Sequence, residues 1–222
     1  MRLALGRGSL VVSCQAREDN PLHGAPFMRA MARAAVDGGA AGIRADVVAD
    51  IAAIRPAVAV PLIGLLKRWQ EGFDVYITPG FADAAAIAAA GCDVVALDCT
   101  PGTRDGEPVA TLIARIKAEL GVAVMADIAT LEEGLAAAAL GADYVGTTLA
   151  GYTAARAAII GPDLELLAAL AARCRVPVVA EGRFDTPAQV ARAFELGAYA
   201  VVVGTAITNP REITRRFAAA AR

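Results

Sequence analysis

Two apolar runs in this chain end on groups that can move protons. Pro61-Leu62-Ile63-Gly64-Leu65-Leu66 closes on Lys67, and Val176-Pro177-Val178-Val179-Ala180 closes on Glu181. An amine set against aliphatic side chains loses hydration, which disfavours the ammonium and lets the group act as a base near neutral pH. A carboxylate is its natural partner in acid–base work. The same amine could instead condense with a carbonyl substrate to give a Schiff base. Other apolar runs end in a similar way, on Gln15, Arg44, Asp98, Asp127 and Thr147, and the last run ends on Gly204. One polar residue at the end of an apolar run is ordinary, because a strand must surface somewhere. Seven polar ends out of eight, directed at one opening, would form a concave polar site with apolar walls, the usual form of a small-molecule pocket.

Glu181 is followed by Gly182 and Arg183, and the run Ala200–Val203 by Gly204 and Thr205. Glycines let backbone N–H groups approach a ligand closely, and a following helix N-terminus favours negative charge. These four residues are the candidate anion site, with a phosphate the expected ligand.

What must position these groups is written in an internal repeat. "DGGAAGIRA", "AAAGCDVVALD", "AALGADYVGTT" and "FELGAYAVVVGT" share one pattern: a helix ends on glycine, a small residue follows, and an aliphatic strand begins. The capping glycines are Gly39, Gly91, Gly141 and Gly197, spaced 91 − 39 = 52, 141 − 91 = 50 and 197 − 141 = 56 residues apart. Glycine just past a helix end supplies the left-handed conformation that other residues resist. A period near 50 is too long for one strand and one helix, so each period hides a second strand. "SLVVSCQ", "VPLIGLLK", "GVAVMAD" and "VPVVAE" supply them. The eight strands read as near-continuous apolar segments, as strands covered on both faces do. Helical patterns such as "TLEEGLAAAAL", "TPAQVARAFEL" and "NPREITRRFAAAA" lie between or after them, with Asp185 or Thr186 before Pro187 and Asn209 before Pro210 as N-caps. Eight alternating units predict a closed (β/α)8 TIM barrel in one domain spanning residues 1–222, with residues 1–8 as an N-terminal tail. An open doubly wound sheet lacks support, because no G-x-G-x-x-G follows the first strand. In a barrel of this kind the chemistry sits at the C-terminal ends of the strands, with phosphate commonly held after the seventh and eighth.

Composition agrees. The 222 residues are 57% hydrophobic, ample for a large core. Lys and Arg number 21 against 23 Asp and Glu, a net charge of −2, and no basic stripe appears, which argues against nucleic-acid binding. The apolar runs break well short of the roughly 18 residues a spanning helix needs, so no membrane association is expected. The N-terminal apolar run is interrupted by Gly6, Arg7 and Gly8 and does not read as a signal peptide. Cys14, Cys92, Cys99 and Cys174 form no C-x-x-C pair and read as reduced cytoplasmic thiols, mostly buried. His23 is the one histidine, so neither a zinc site nor an activated cysteine is expected, and no metal or cofactor is called for. Trp69 and Tyr152 are candidates for the rim of the mouth.

The motifs "VSCQA…PLH", "GAAGIRA", "PLIGLLKR", "ALDCT", "MADIATLEEG", "VGTTLAGYT" and "AEGRFDTPAQ" resemble those of the N-acylglucosamine-6-phosphate 2-epimerases, from about Ser13 to Phe217. The resemblance implies interconversion of N-acetylmannosamine 6-phosphate and N-acetylglucosamine 6-phosphate, as in sialic acid breakdown. It implies Lys67 as the acid/base at C2 and Glu181 as its carboxylate partner. Gln15, Arg44, Asp127 and Thr147 would bind the sugar, and the Gly182–Arg183 and Gly204–Thr205 loops the phosphate. A homodimer is the expected assembly. Where the family often reads Thr-Arg-Pro before the last helix, this chain has Thr208-Asn209-Pro210, and the segment after "DCT" keeps only Arg104. The residue types fit such a reaction independently. Inverting a carbon that bears an acylamino group needs a proton removed and returned on the other face, and that proton is acidic only beside a carbonyl, so the sugar ring must open first. The alternatives are a phosphate-binding barrel lyase or synthase using Lys67 as a Schiff base, and a non-catalytic sugar-phosphate sensor.

Overall fold

A computed structural model describes residues 4–156 and 159–221. The chain alternates strand and helix: β1 (Ser9–Cys14), α1 (Ala25–Asp37), β2 (Gly42–Asp46), α2 (Val48–Ile54), β3 (Leu62–Leu65), α3 (Phe81–Ala89), β4 (Val94–Asp98), α4 (Val109–Arg115), β5 (Ala123–Asp127), α5 (Leu131–Ala139), β6 (Tyr144–Gly146), α6 (Leu164–Arg173), β7 (Val178–Glu181), α7 (Pro187–Glu195), β8 (Ala200–Val203), α8 (Thr205–Thr208) and α9 (Pro210–Ala220). The strands pair in parallel in sequence order, and β8 returns to β1 through Ser9↔Ala200 to Val12↔Val203, closing the barrel. The (β/α)8 expectation is met.

The local signals act as their chemistry requires. Gly39, Gly91, Gly141 and Gly197 take φ of 99°, 106°, 97° and 98°, the left-handed conformation each helix-to-strand turn needs. Thr130 caps α5 by accepting from Glu133 N, and Glu133 Oε2 accepts from Thr130 N at 3.1 Å, a reciprocal capping box. Thr186, rather than Asp185, caps α7 in the same way with Gln189, and Asn209 accepts from Glu212 N at the start of α9.

Alternate residues of each strand serve two cores. Val12, Ile43, Leu62, Val95, Val124, Val145, Val178 and Val201 face outward into the layer shared with the helices. Val11, Ile63, Leu65, Val94, Ala96, Met125, Tyr144, Val179, Ala200 and Val202 fill the barrel interior. Leu5 joins that interior and is 2% exposed. Its carbonyl accepts from Tyr199 Oη at 2.9 Å, and Gly8 N donates to Tyr199 O at 2.8 Å. Residues 4–8 thus pack against the barrel end opposite the site, while residues 1–3 of the expected tail lie outside the described residues.

The connection from β3 to α3 is an excursion over the mouth. Arg68 N donates to Tyr76 O (2.8 Å) and Thr78 N to Leu66 O (2.7 Å), with an antiparallel bridge between Lys67 and Ile77. β3 pairs with β4 only at Ile63↔Val94 and Gly64↔Val95. Above those rungs the returning limb takes over: Asp98 N donates to Ile77 O, and the buried Thr78 donates to Ala96 O. Arg68 clamps the excursion to Asp83 at 2.9 Å and Asp105 at 3.1 Å.

Candidate active site

The inward positions continue upward from the interior core on the same two-residue period. They lead to Arg44 and Asp46 on β2, Lys67 above β3, Asp98 on β4, Asp127 on β5, Thr148 above β6 and Glu181 on β7. Arg44 is therefore not a strand end, as its sequence context suggests. β2 runs two residues further, and Arg44 lies inside the barrel with its guanidinium reaching toward the mouth.

Arg44 is 1% exposed and is held between two carboxylates: Nη2 lies 2.5 Å from Asp127 Oδ2 and Nη1 2.9 Å from Glu181 Oε2. Nη1 also donates to Asp127 Oδ1 at 3.2 Å, while Nε finds no partner among the described residues. An isolated guanidinium would be very costly at such depth, so the two carboxylates are the condition for its presence. Thr148 Oγ1 lies 2.6 Å from Asp127 Oδ1 and 3.2 Å from Glu181 Oε2. A hydroxyl has one proton to give, so a protonated Glu181 can donate to Thr148 while Thr148 donates to Asp127. Burial pushes the Glu181 carboxyl up to about 7, against the downward pull of Arg44; Asp127 adds to the rise.

Lys67 reaches the same mouth from β3. Its Nζ donates to Gln15 Oε1 at 2.5 Å and lies 3.8 Å from Asp46 Oδ2. Gln15 Nε2 donates in turn to Ser13 Oγ at 2.9 Å, which fixes the amide with its oxygen toward the amine. Burial lowers the Lys67 pKa below the usual lysine range; Asp46 and Glu181 oppose this, while Arg44 and Arg17 add to it. In the closed ring of eight, β3 and β7 stand four strands apart in either direction. Lys67 and Glu181 thus come from opposite walls of one opening, and each charge still influences the other.

The remaining expected residues divide into two sets. Thr147 lies on the outward alternation: its Oγ1 donates to Glu181 O at 2.8 Å and accepts from Glu181 N at 3.0 Å, tying β6 to β7. The hydroxyl that faces the charged cluster belongs to Thr148. Asp98 accepts from Thr100 N and Oγ1 at 2.8 and 2.7 Å. Gly182 (φ 111°) and Arg183 (φ 56°) make the turn after β7, a conformation costly for the arginine. Arg183 Nε donates to Gly161 O at 2.7 Å, and its guanidinium lies 5.0 Å from the Tyr152 ring. Gly204 precedes the short α8, headed by Thr205. No turn or loop hydrogen bond among the described residues engages the backbone N–H groups of Gly182, Arg183 or Gly204. Trp69 stacks on Tyr76 with 5.4 Å between ring centres in the β3–α3 excursion.

Asp46 and Thr148 were missed by reading strand ends alone. Extending the two-residue alternation from Arg44 and Gly146 would have found both. Cys14 and Cys99 carry thiols raised by burial, the first to about 12, and so are unfit as nucleophiles. Among the described residues no three His, Cys, Asp or Glu side chains are grouped to hold a metal ion. No helix there is long and apolar enough to cross a membrane.

A closed (β/α)8 barrel with a half-dry lysine facing an arginine–dicarboxylate cluster at its C-terminal mouth defines the class: a barrel enzyme equipped for proton transfer on a small polar substrate. Residues 28–222 match the family described as "Putative N-acetylmannosamine-6-phosphate epimerase". A protein of Thermosynechococcus vestitus described as "Putative N-acetylmannosamine-6-phosphate 2-epimerase" is 52% identical over 203 residues, 91% of this chain and 89% of that protein. One from Caldanaerobacter subterraneus, described in the same terms, is 49% identical over 210 residues, 94% of this chain and 89% of its own. The solved N-acetylmannosamine-6-phosphate 2-epimerase of Clostridium perfringens superposes with a TM-score of 0.94 at 44% identity, covering 97% of this chain and 94% of that one. The chain belongs to the N-acetylmannosamine-6-phosphate epimerase family.

Proposed function

We propose that this chain inverts C2 of N-acetylmannosamine 6-phosphate to give N-acetylglucosamine 6-phosphate, through the open-chain aldehyde. The observation that carries the mechanism is the opposed pair Lys67 and Glu181, the first shifted down and the second up to about 7. Groups on opposite walls can address the two faces of one carbon. Neutral Lys67 with protonated Glu181 contains as many protons as ammonium Lys67 with ionised Glu181. One turnover converts the first state into the second, so each direction of the reaction starts from its own tautomer of a shared proton count. Gln15 orients Lys67. Arg44, Asp127 and Thr148 hold the sugar and steady the charge that develops as C2 loses its proton, while Thr147 anchors Glu181 from behind.

The turns at Gly182–Arg183 and Gly204–Thr205 support a 6-phosphate site, because the N–H groups of Gly182, Arg183 and Gly204 enter no turn or loop hydrogen bond among the described residues. The buried or half-buried free cysteines suit a reducing cytoplasm. The exposed Ile207 (45%) and Phe217 (75%) offer apolar surface for a homodimer.

Proton NMR of N-acetylmannosamine 6-phosphate in D2O tests the reading. The wild-type chain should produce the 2-epimer with deuterium at C2. Lys67→Ala should lose about 100-fold or more in both turnover and exchange, the usual scale for a positioned acid–base group. Lys67→Arg should fail as well, because a guanidinium does not release its proton in this range. Exchange at C2 near the wild-type rate in Lys67→Ala would show that another residue is the base. Covalent labelling by borohydride in the presence of substrate would favour Schiff-base chemistry instead.

A further inference from the structure

Asp46 is the last residue of β2, and its carboxylate does two things at once. Oδ1 accepts from two backbone groups, Val47 N at 2.8 Å and Lys67 N at 3.0 Å. Oδ2 lies 3.8 Å from Lys67 Nζ. The β2–β3 ladder ends at the rung Asp46↔Leu65. Two residues past the end of β3, at Lys67 N, where the next backbone acceptor of β2 would stand, the Asp46 side chain supplies the oxygen. The chain cannot supply it itself, because Val47 turns away with φ 58°, ψ 152°, a conformation that a β-branched residue keeps only when its surroundings impose it. Val47 N is held there by both Asp46 Oδ1 and Leu65 O.

We propose that Asp46 is the positioning residue for proton transfer at Lys67, extending the β2–β3 ladder through its side chain and setting a carboxylate beside the reacting amine. The inference rests on the reading of Lys67 as the acid/base. The charged groups facing Lys67 are Asp46 and Arg44 from β2, Glu181 from β7 and Arg17 from the β1–α1 loop, with the neutral Gln15 in direct contact. Asp50 on α2 stands behind Asp46. Asp46 is the foremost of these in favouring the ammonium. Without its charge the amine would shed its proton at lower pH. Without its placement the amine would lose its aim.

Two variants of the full chain separate these effects. Asp46→Asn keeps an acceptor oxygen for Val47 N and Lys67 N but removes the charge. Its profile of kcat/KM against pH should move to lower pH by about half a unit or more, with KM at the optimum within about twofold. Asp46→Glu keeps the charge but lengthens the arm by one methylene. Its profile should stay in place while kcat falls about tenfold or more, since a misplacement near 1 Å can cost up to about 100-fold. A folded Asp46→Asn whose profile does not move overturns the proposal. If Asp46→Asn does not fold, Asp46→Glu decides, and a wild-type kcat there overturns it. Failure of the underlying reading is told apart by Lys67→Ala: retained C2 exchange there removes the lysine, whatever the Asp46 variants do.

Discussion

Replacing Arg44 by methionine tests the central cluster through stability as well as activity. Methionine fills much of the arginine stem without branching, so the barrel interior keeps its packing. What is lost is the one cation set between Asp127 (0% exposed) and Glu181 (13%). Removing one partner of a buried ion pair typically costs ~3–5 kcal/mol, because the remaining charge is stranded. Glu181 has an escape that a fixed charge lacks: it can take up a proton. In the wild-type chain its folded pKa is about 7, above an unfolded value near 4.3. A carboxyl raised in this way stabilises the fold when protonated, and that contribution is lost as pH rises toward the folded value. Arg44 is the foremost influence holding this pKa down, so its removal lifts the carboxyl further and the loss continues beyond pH 7. Each pH unit by which the carboxyl rises is worth ~1.4 kcal/mol. At pH 5 Glu181 is protonated in both chains, and Arg44→Met should cost ~2 kcal/mol, below the range for a stranded charge because the proton neutralises one carboxylate. At pH 8.5 the deficit should reach ~4 kcal/mol, the excess expected if the carboxyl titrates about one to two pH units higher in the variant. Urea unfolding followed by far-UV circular dichroism at the two pH values reads the difference. A deficit equal at both pH values, or smaller at pH 8.5, would refute the idea that Arg44 holds Glu181 near neutrality.

Asp50 on α2 is buried, and its carboxyl is pushed up to about 6 by that burial, with Asp46 adding to the rise and His23 opposing it. This carboxyl too lowers stability as pH rises from near 4 through 6. Asp50→Asn should therefore match the wild type at pH 4 and exceed it by ~1–2 kcal/mol at pH 8 in the same urea assay, and an equal difference at both would reject the assignment. The phosphate reading predicts that unphosphorylated N-acetylmannosamine is turned over with kcat/KM lower by roughly 1,000-fold or more, the scale of a lost charged anchor; comparable turnover of the two sugars, followed by NMR, would remove the Gly182 and Gly204 loops from the site.

The barrel was legible because it is written in short-range chemistry. A helix that must stop before a strand needs a left-handed residue, and Gly39, Gly91, Gly141 and Gly197 announce four such stops. The Thr130–Glu133 and Thr186–Gln189 boxes mark helix starts just as locally. Lys67, Glu181, Gln15 and Asp127 could be located because each follows an apolar run directly. Arg44 was found but misplaced, since a polar residue inside a strand looks from sequence like the strand's end. Only its pairing with Asp127 and Glu181, 83 residues away in the case of Asp127, explains how it stays inside. The choice between Thr147 and Thr148 turns on which of two neighbours points inward, and adjacent threonines carry no compositional cue. The β3–α3 excursion was not legible at all: its aromatic stack, the buried Thr78 at φ 45° and the Arg68 clamp are held by tertiary contacts, not by any repeating pattern.

The seam between β1 and β8 also constrains how the chain is made. Ser9 pairs with Ala200, 200 − 9 = 191 residues later, and Leu5 is buried in the interior that this seam encloses. At synthesis rates of about 5–20 residues per second, roughly 10–40 s separate the appearance of the two strands. Throughout that interval the nascent sheet has an open β1 edge and an unsealed inner face, both able to pair with another growing chain. The half-made barrel is thus the state most prone to aggregate, and its protection falls to whatever shields nascent chains in the host. Destabilising substitutions in β1 or β8 would then lower the yield of folded protein more than their effect on the finished barrel suggests.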